Sequence, residues 1–270
     1  MGYYVKVAPD VRLYVEDVNP RGDKTILFIH GWPLSHKAFE YQFNVLPGKG
    51  YRCIGIDSRG FGKSDKPWDG YHLDRMADDV RGVVDALGLC DFTLAGHSYG
   101  GATAIRYMAR HRGHGVSKLA LFAAAAPNLT RRPGYPYGMP KEDVTELIKD
   151  TLNDRPRMLR GLKELFFFQN ISNALGDWFF DVALPAAGYS TAKVAMSFRD
   201  ESLFSDLGRI GVPTLILHGL HDKVCYPELA VAQKEGIPDA KLVWFEYSGH
   251  SLFYEERDKF NAELMKFIAD

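Results

Sequence analysis

A chain of 270 residues is long enough to bury a full core and too short for two large independent domains. Its 33 Lys and Arg nearly cancel 34 Asp and Glu, leaving a formal net charge of -1, which excludes the broad field that draws proteins to nucleic acid or anionic membrane. A small-molecule partner is the expectation. Cys53, Cys90 and Cys225 are odd in number and widely spaced, which argues against a disulfide framework and points to a reducing, cytoplasmic setting. The first ten residues have neither the basic start nor the apolar core of a signal peptide, and Lys6 stands where a myristoylation signal after Gly2 needs Ser or Thr. The longest apolar run, residues 119–126, falls far short of the roughly 20 residues that span a bilayer. The reading is of a soluble protein without a membrane.

The chain opens on β-rich runs at residues 3–7 and 12–16, expected to pair antiparallel. A buried strand pattern at 25–30 leads to a helical pattern at 37–46, then a strand at 52–57 and a helix at 73–87. A strand at 92–96, a helix at 101–109 and a strand at 118–123 follow. From residue 127 to about 204 no clean strand occurs. Pro-Gly turns there lead into aromatic-rich helical segments containing Phe166, Phe167 and Phe168, and then Trp178, Phe179 and Phe180. The rhythm resumes with a strand at 214–218, a helix at 228–235, a strand at 241–246 and a helix at 255–268. Alternation of this kind predicts an α/β fold with a mostly parallel sheet flanked by helices. Residues 1–126 and 205–270 form the core in this reading, and residues 127–204 form a helical cap inserted after the sixth strand.

Gly96-His97-Ser98-Tyr99-Gly100 fits G-x-S-x-G, with a strand running in and a helix running out. That is the context of a nucleophile elbow, where a tight turn exposes the serine and larger flanking residues would clash with backbone. A serine hydroxyl is too weakly acidic to attack an ester alone, so it needs a base, and the base needs an acid to orient it. Asp222 follows the strand at 214–218, and His250 follows the last strand, so Ser98, Asp222 and His250 are the candidate catalytic residues. Of the nine histidines only His250 follows the acid loop in that order. The charge on a tetrahedral intermediate needs backbone N–H donors, which are expected from Tyr99, after the nucleophile, and Trp32, in the strand-exit loop His30-Gly31-Trp32-Pro33. A pocket above the strand ends and beneath the cap selects Trp32, Tyr99, Phe166, Phe167, Trp178 and Leu252 as lining.

Two patterns are set aside. Gly60-Phe61-Gly62-Lys63-Ser64 ends like a phosphate-binding loop, but Asp57 occupies the earlier glycine position and no helix follows. His218, His221 and Asp222 have no further His or Cys cluster to complete a metal site. Neither a metal nor a cofactor is expected.

These residues make the chain resemble the α/β-hydrolase superfamily, and within it the cofactor-free haloperoxidase and esterase group. The resemblance rests on residues 30–33, residues 57–65, the elbow, Val212-Pro213-Thr214-Leu215 leading to Asp222, and Ser248-Gly249-His250. It implies the triad and oxyanion roles above, and carboxylic-ester hydrolysis with perhydrolysis as a further activity, without haem or metal. Tyr99 stands where group members often carry Met, and His97 where many carry Phe, so the pocket near the nucleophile differs. Ser98 separates the chain from haloalkane dehalogenases and epoxide hydrolases, which use an aspartate nucleophile. A small-molecule ester of a small to medium acyl group is the expected substrate. A lactone, including an acyl-homoserine lactone, is the alternative, and a slow-turnover ligand sensor with the same triad is the alternative of another class.

Overall fold

A computed structural model describes residues 1–270. Eight strands form one sheet: β1 (Gly2–Ala8), β2 (Val11–Val18), β3 (Lys24–Ile29), β4 (Tyr51–Ile56), β5 (Phe92–His97), β6 (Val116–Phe122), β7 (Thr214–Gly219) and β8 (Ala240–Phe245). Their order across the sheet is β1-β2-β4-β3-β5-β6-β7-β8. β1 and β2 pair antiparallel, as the opening alternation predicts, and β2 meets β4 antiparallel. All remaining neighbours are parallel. Every residue of β5 and β7 is buried, because helices cover both faces of a parallel sheet and leave no solvated side to alternate with.

The helices flanking the sheet are α1 (Leu73–Leu87) and α2 (Tyr99–Arg110), followed after β7 by α6 (Pro227–Gly236) and, at the end of the chain, α7 (Arg257–Ala269). Between β6 and β7 the chain forms α3 (Lys141–Phe166), α4 (Asn173–Ala183) and α5 (Gly188–Asp200). α3 breaks at Asp154, whose φ of -150° and ψ of 71° are not helical. Pro156 just beyond lacks an N–H and disfavours an unbroken helix, and the Arg157 N–H instead donates to Asp154 Oδ1 at 3.1 Å, which caps the second half. The apolar core is continuous: Val144, Leu159 and Phe166 of α3 join the side chains of the sheet.

One expectation needs correction. The segment at 37–46 is not one helix but a 3₁₀ turn, His36–Phe39, followed by a single α-helical turn, Glu40–Phe43. Its buried residues, Ala38, Phe39, Gln42 and Leu46, keep the spacing of one helical face, but the backbone does not run as one helix through them; Gln42 Nε2 donates inward to Phe253 O at 2.7 Å. The expected final helix at 255–268 is found as α7, and a separate short turn, Leu252–Glu255, precedes it. No helix is long and apolar enough to cross a membrane.

Candidate active site

The candidate residues converge at the carboxyl ends of β3, β5, β7 and β8. β5 delivers Ser98 at φ 55° and ψ -120°, a conformation that costs on the order of 1–3 kcal/mol and persists only where its surroundings enforce it. They do so through three backbone bonds. Ser98 N–H donates to Phe122 O at 2.9 Å, and Ser98 O accepts from Ala102 N and Ala125 N, each at 3.0 Å. The glycines of the motif admit the turn: a Cβ on Gly96 would lie 2.5 Å from Gly100 O, and one on Gly100 would lie 2.3 Å from Ile29 O.

Asp222 and His250 meet as the chain order suggests. His250 Nδ1 lies 2.8 Å from Asp222 Oδ2, while Asp222 Oδ1 accepts from Val224 N at 2.8 Å and Cys225 N at 2.9 Å. His221 N donates to Ser248 O at 3.0 Å, tying the two loops together. With Nδ1 donating to the carboxylate, Nε2 is the free acceptor of a neutral ring, and it is buried without a partner. Burial pushes the His250 imidazolium down, which keeps the ring neutral. Burial also pushes Asp222 up, against the opposing pull of nearby His218 and its two backbone donors.

Two further histidines hold this arrangement in a role that the linear pattern does not reveal. His97 Nε2 donates to His250 O at 3.0 Å, with the two rings 4.6 Å apart. His218 Nε2 donates to Cys225 O at 2.7 Å and lies 3.6 Å from Asp222 Oδ2. A histidine inside an elbow, or before a glycine at a strand end, carries no linear signal of what its ring will touch.

Trp32 and Tyr99 line one cavity with Ser98. Gly31 sits so close that an added Cβ would lie 2.9 Å from Ser98 Cβ. Tyr99 opens α2, where the first amides have no intrahelical partner, and the Trp32 amide takes no part in the loop and turn hydrogen bonds. Their side chains are pinned by α5. Trp32 Nε1 donates to Thr191 O at 2.9 Å, and Tyr99 Oη lies 2.8 Å from Ser197 Oγ. Nearby, His30 accepts from Ser58 N at 3.0 Å through Nε2 and faces its neighbour's carbonyl, Gly31 O, through Nδ1 at 2.9 Å, which fixes a neutral tautomer. The residue 57–65 stretch is a supporting turn: Asp57 Oδ1 accepts from the His36 amide, and Asp57 Oδ2 from the Lys63 amide.

An apolar cavity of about 30 Å³ opens beside Ser98 and is lined by Trp32, Tyr99, Phe166, Phe198 and aliphatic side chains including Leu162 and Val224. Three of the residues expected there lie elsewhere. Phe166 ends α3 with its ring 4.7 Å from that of His250, but the backbone turns extended at Phe167, which points away to pack on Phe179 and Tyr254. Phe167 and Trp178 line a second, smaller cavity of about 10 Å³. Leu252 is fully buried beneath the His250 loop and lines neither. No group of three or more His, Cys, Asp or Glu side chains is arranged to hold a metal ion.

Comparison with known proteins agrees with this architecture. Residues 24–257 match the family model described as the alpha/beta hydrolase fold. The chain is 49% identical over 267 residues to the AB hydrolase superfamily protein YisY of Bacillus subtilis, covering 99% of each. It is 31% identical to the bifunctional esterase/perhydrolase DCH of Acinetobacter calcoaceticus, covering 98% of this chain and 99% of that one. Other relatives, at 32% identity and below, bear non-heme chloroperoxidase names. Among solved structures, an esterase from Exiguobacterium antarcticum superposes with a TM-score of 0.97 at 42% identity, covering all of both chains. The chain belongs to the α/β-hydrolase family, in its haloperoxidase and esterase group.

Proposed function

We propose that this protein hydrolyses carboxylic esters of small acyl groups through an acyl-enzyme on Ser98. One observation carries the reading: a buried, neutral imidazole, held by a carboxylate at 2.8 Å through Nδ1 and free at Nε2, follows the last strand of the same sheet that raises Ser98 on a strand-to-helix elbow. Ser98 Oγ attacks the acyl carbon while His250 Nε2 takes its proton, and Asp222 keeps the ring oriented and stabilises the imidazolium. The N–H groups of Trp32 and Tyr99 receive the developing oxyanion. Collapse expels the alcohol, which takes the proton from His250. Water, deprotonated in turn by His250, then releases the acid and frees Ser98.

The acyl group would occupy the cavity beside Ser98. At about 30 Å³ it has room for about two or three water-sized groups, which suits an acetyl or propionyl chain. Its lining carries no charged side chain, so a charged acyl group would lose its hydration without a partner. In this reading residues 127–204 act as the cap that closes the pocket, and the three free cysteines suit a reducing cytoplasm.

A second reading is favoured by the relative named esterase/perhydrolase. Hydrogen peroxide would then replace water at the acyl-enzyme, leaving as the peracid and regenerating Ser98. Turnover of p-nitrophenyl acetate, with and without peroxide, tests both. Many turnovers per molecule are expected, with peracid appearing only if peroxide competes with water. A single burst equal to the protein concentration would instead identify a ligand sensor.

A further inference from the structure

Glu255 accepts three backbone hydrogen bonds and has no cation near it. Its Oε1 accepts from Phe168 N and Gln169 N, both at 2.7 Å, and its Oε2 accepts from Gly249 N at 2.7 Å. None of the ion pairs of the molecule includes it, although the side chain is half-buried. A carboxylate desolvated in this way is held by charge-assisted bonds to amides alone, which are among the stronger and more directional hydrogen bonds in proteins.

The three amides belong to two segments that meet at the site. Phe168 and Gln169 follow Phe166, the end of α3, whose ring stands edge-on to His250. Gly249 is the residue before His250. A fourth bond runs parallel to these, from Ser251 N to Phe166 O at 2.9 Å. Gln169 Nε2 adds a bond to Tyr247 O at 2.8 Å. The neighbouring Glu256 has a separate task, accepting from Tyr247 N and from Ser248 Oγ. Glu255 is therefore the single side chain whose two oxygens join the end of the cap helix to the loop that carries the imidazole.

We infer that Glu255 is a positioning residue: by clamping the Phe168–Gln169 turn to the Gly249 amide, it holds the His250 loop in its place relative to Ser98 and seats the Phe166 ring against the imidazole. This rests on the reading of Ser98 and His250 as nucleophile and base. The carboxylate suits the task because both its oxygens are acceptors, and all three partners are donors. An amide at the same place has one acceptor and one donor end. Whichever way it turns, its NH₂ faces an N–H, so Glu255→Gln keeps the size of the side chain and breaks one side of the clamp.

The test compares wild type, Glu255→Gln and Glu255→Asp in their rate of covalent labelling by a small fluorophosphonate, well below the melting temperature of each. That probe needs activated Ser98 but little of the acyl pocket. Displacing a base by an ångström can cost up to about 100-fold, so Glu255→Gln is expected to label 10- to 100-fold more slowly. The loss in p-nitrophenyl acetate turnover should fall on kcat, with KM changed less than about threefold. Glu255→Asp, shorter by one methylene, should fail to restore the rate. Hydrogen exchange on the wild type gives an independent reading that needs no variant: the amides of Phe168, Gln169 and Gly249 should be protected together. Wild-type labelling of a folded Glu255→Gln protein, or unprotected amides at all three positions, would overturn the inference. Labelling that survives Ser98→Ala would instead show that the Ser98 reading had failed, a distinct outcome.

Discussion

Gly100→Ala puts a methyl group between the two segments expected to supply the oxyanion donors. The added Cβ would lie 2.3 Å from Ile29 O and 2.5 Å from His30 O. Both contacts are to backbone, so no side chain can rotate away, and relief requires the β3 exit and the start of α2 to separate by about 1 Å. Overpacking of this kind costs about 1–3 kcal/mol, which for a chain of this length lowers Tm by about 2–6 °C. The same displacement moves the Trp32 and Tyr99 amides apart, so kcat/KM for p-nitrophenyl acetate should fall by up to about 100-fold. Gly161→Ala is the matched control. Gly161 lies exposed within α3 with nothing within 4 Å of an added Cβ, so helix propensity alone acts and stability should rise by about 0.5–1 kcal/mol. Thermal melts and ester kinetics on both variants provide the assay. A Gly100→Ala protein with wild-type Tm and wild-type kcat/KM would refute the close packing of the elbow against the strand exit.

Asp222→Asn should preserve the fold while lowering kcat by about 10⁴-fold, because the amide no longer enforces the Nδ1–H tautomer of His250; ester turnover within tenfold of wild type would contradict this. Burial lowers the pKa of His250 and the base must be neutral, so activity should be lost only as pH falls below about 6.5, the ordinary histidine value. An acid limb centred at pH 7 or above in kcat/KM would count against it. Burial lowers His30, His97 and His218 as well. Unfolding then takes up protons below about pH 6.5, and each of these histidines removes at most about 1.4 kcal/mol of stability per pH unit, down to its folded pKa. Asp222, whose carboxyl burial pushes up, works in the opposite direction. Urea melts at pH 7.5 and 5.5 should therefore show a net loss at the lower pH, and equal stability would show that the four rings are not held neutral. Phe166→Ala should change the ranking of acyl chains, whereas Phe167→Ala should chiefly cost about 3–5 kcal/mol of stability, which melting curves and a chain-length panel on the two variants can separate. Dialysis against EDTA should leave ester turnover unchanged, and a loss restored by zinc would point to a different mechanism.

The strands were legible because each is a short apolar run bounded by turn residues, and the order of Ser98, Asp222 and His250 along the chain could be read from the strands that precede them. Trp32 and Tyr99 were legible for the same reason, since their positions depend on backbone and not on side-chain contacts. Phe167, Trp178 and Leu252 were misplaced because aromatic or apolar character says that a side chain is buried, not which cavity it faces. At the end of α3, one extended residue sends Phe166 and Phe167 to different cavities. The segment at 37–46 has helical spacing in its letters, but the inward turn of Gln42 toward Phe253 O and Asn261 Oδ1 is a tertiary choice. His97, His218 and Glu255 act through partners more than 80 residues away, or through backbone atoms, and neither leaves a local pattern.

The most direct test of the central claim is to react the protein with a fluorophosphonate, weigh it intact and map the modified peptide. A single adduct on Ser98 is expected, absent from Ser98→Ala and formed far more slowly in His250→Ala. An adduct on another residue, or equal labelling of Ser98→Ala, would contradict the assignment of Ser98 as the nucleophile.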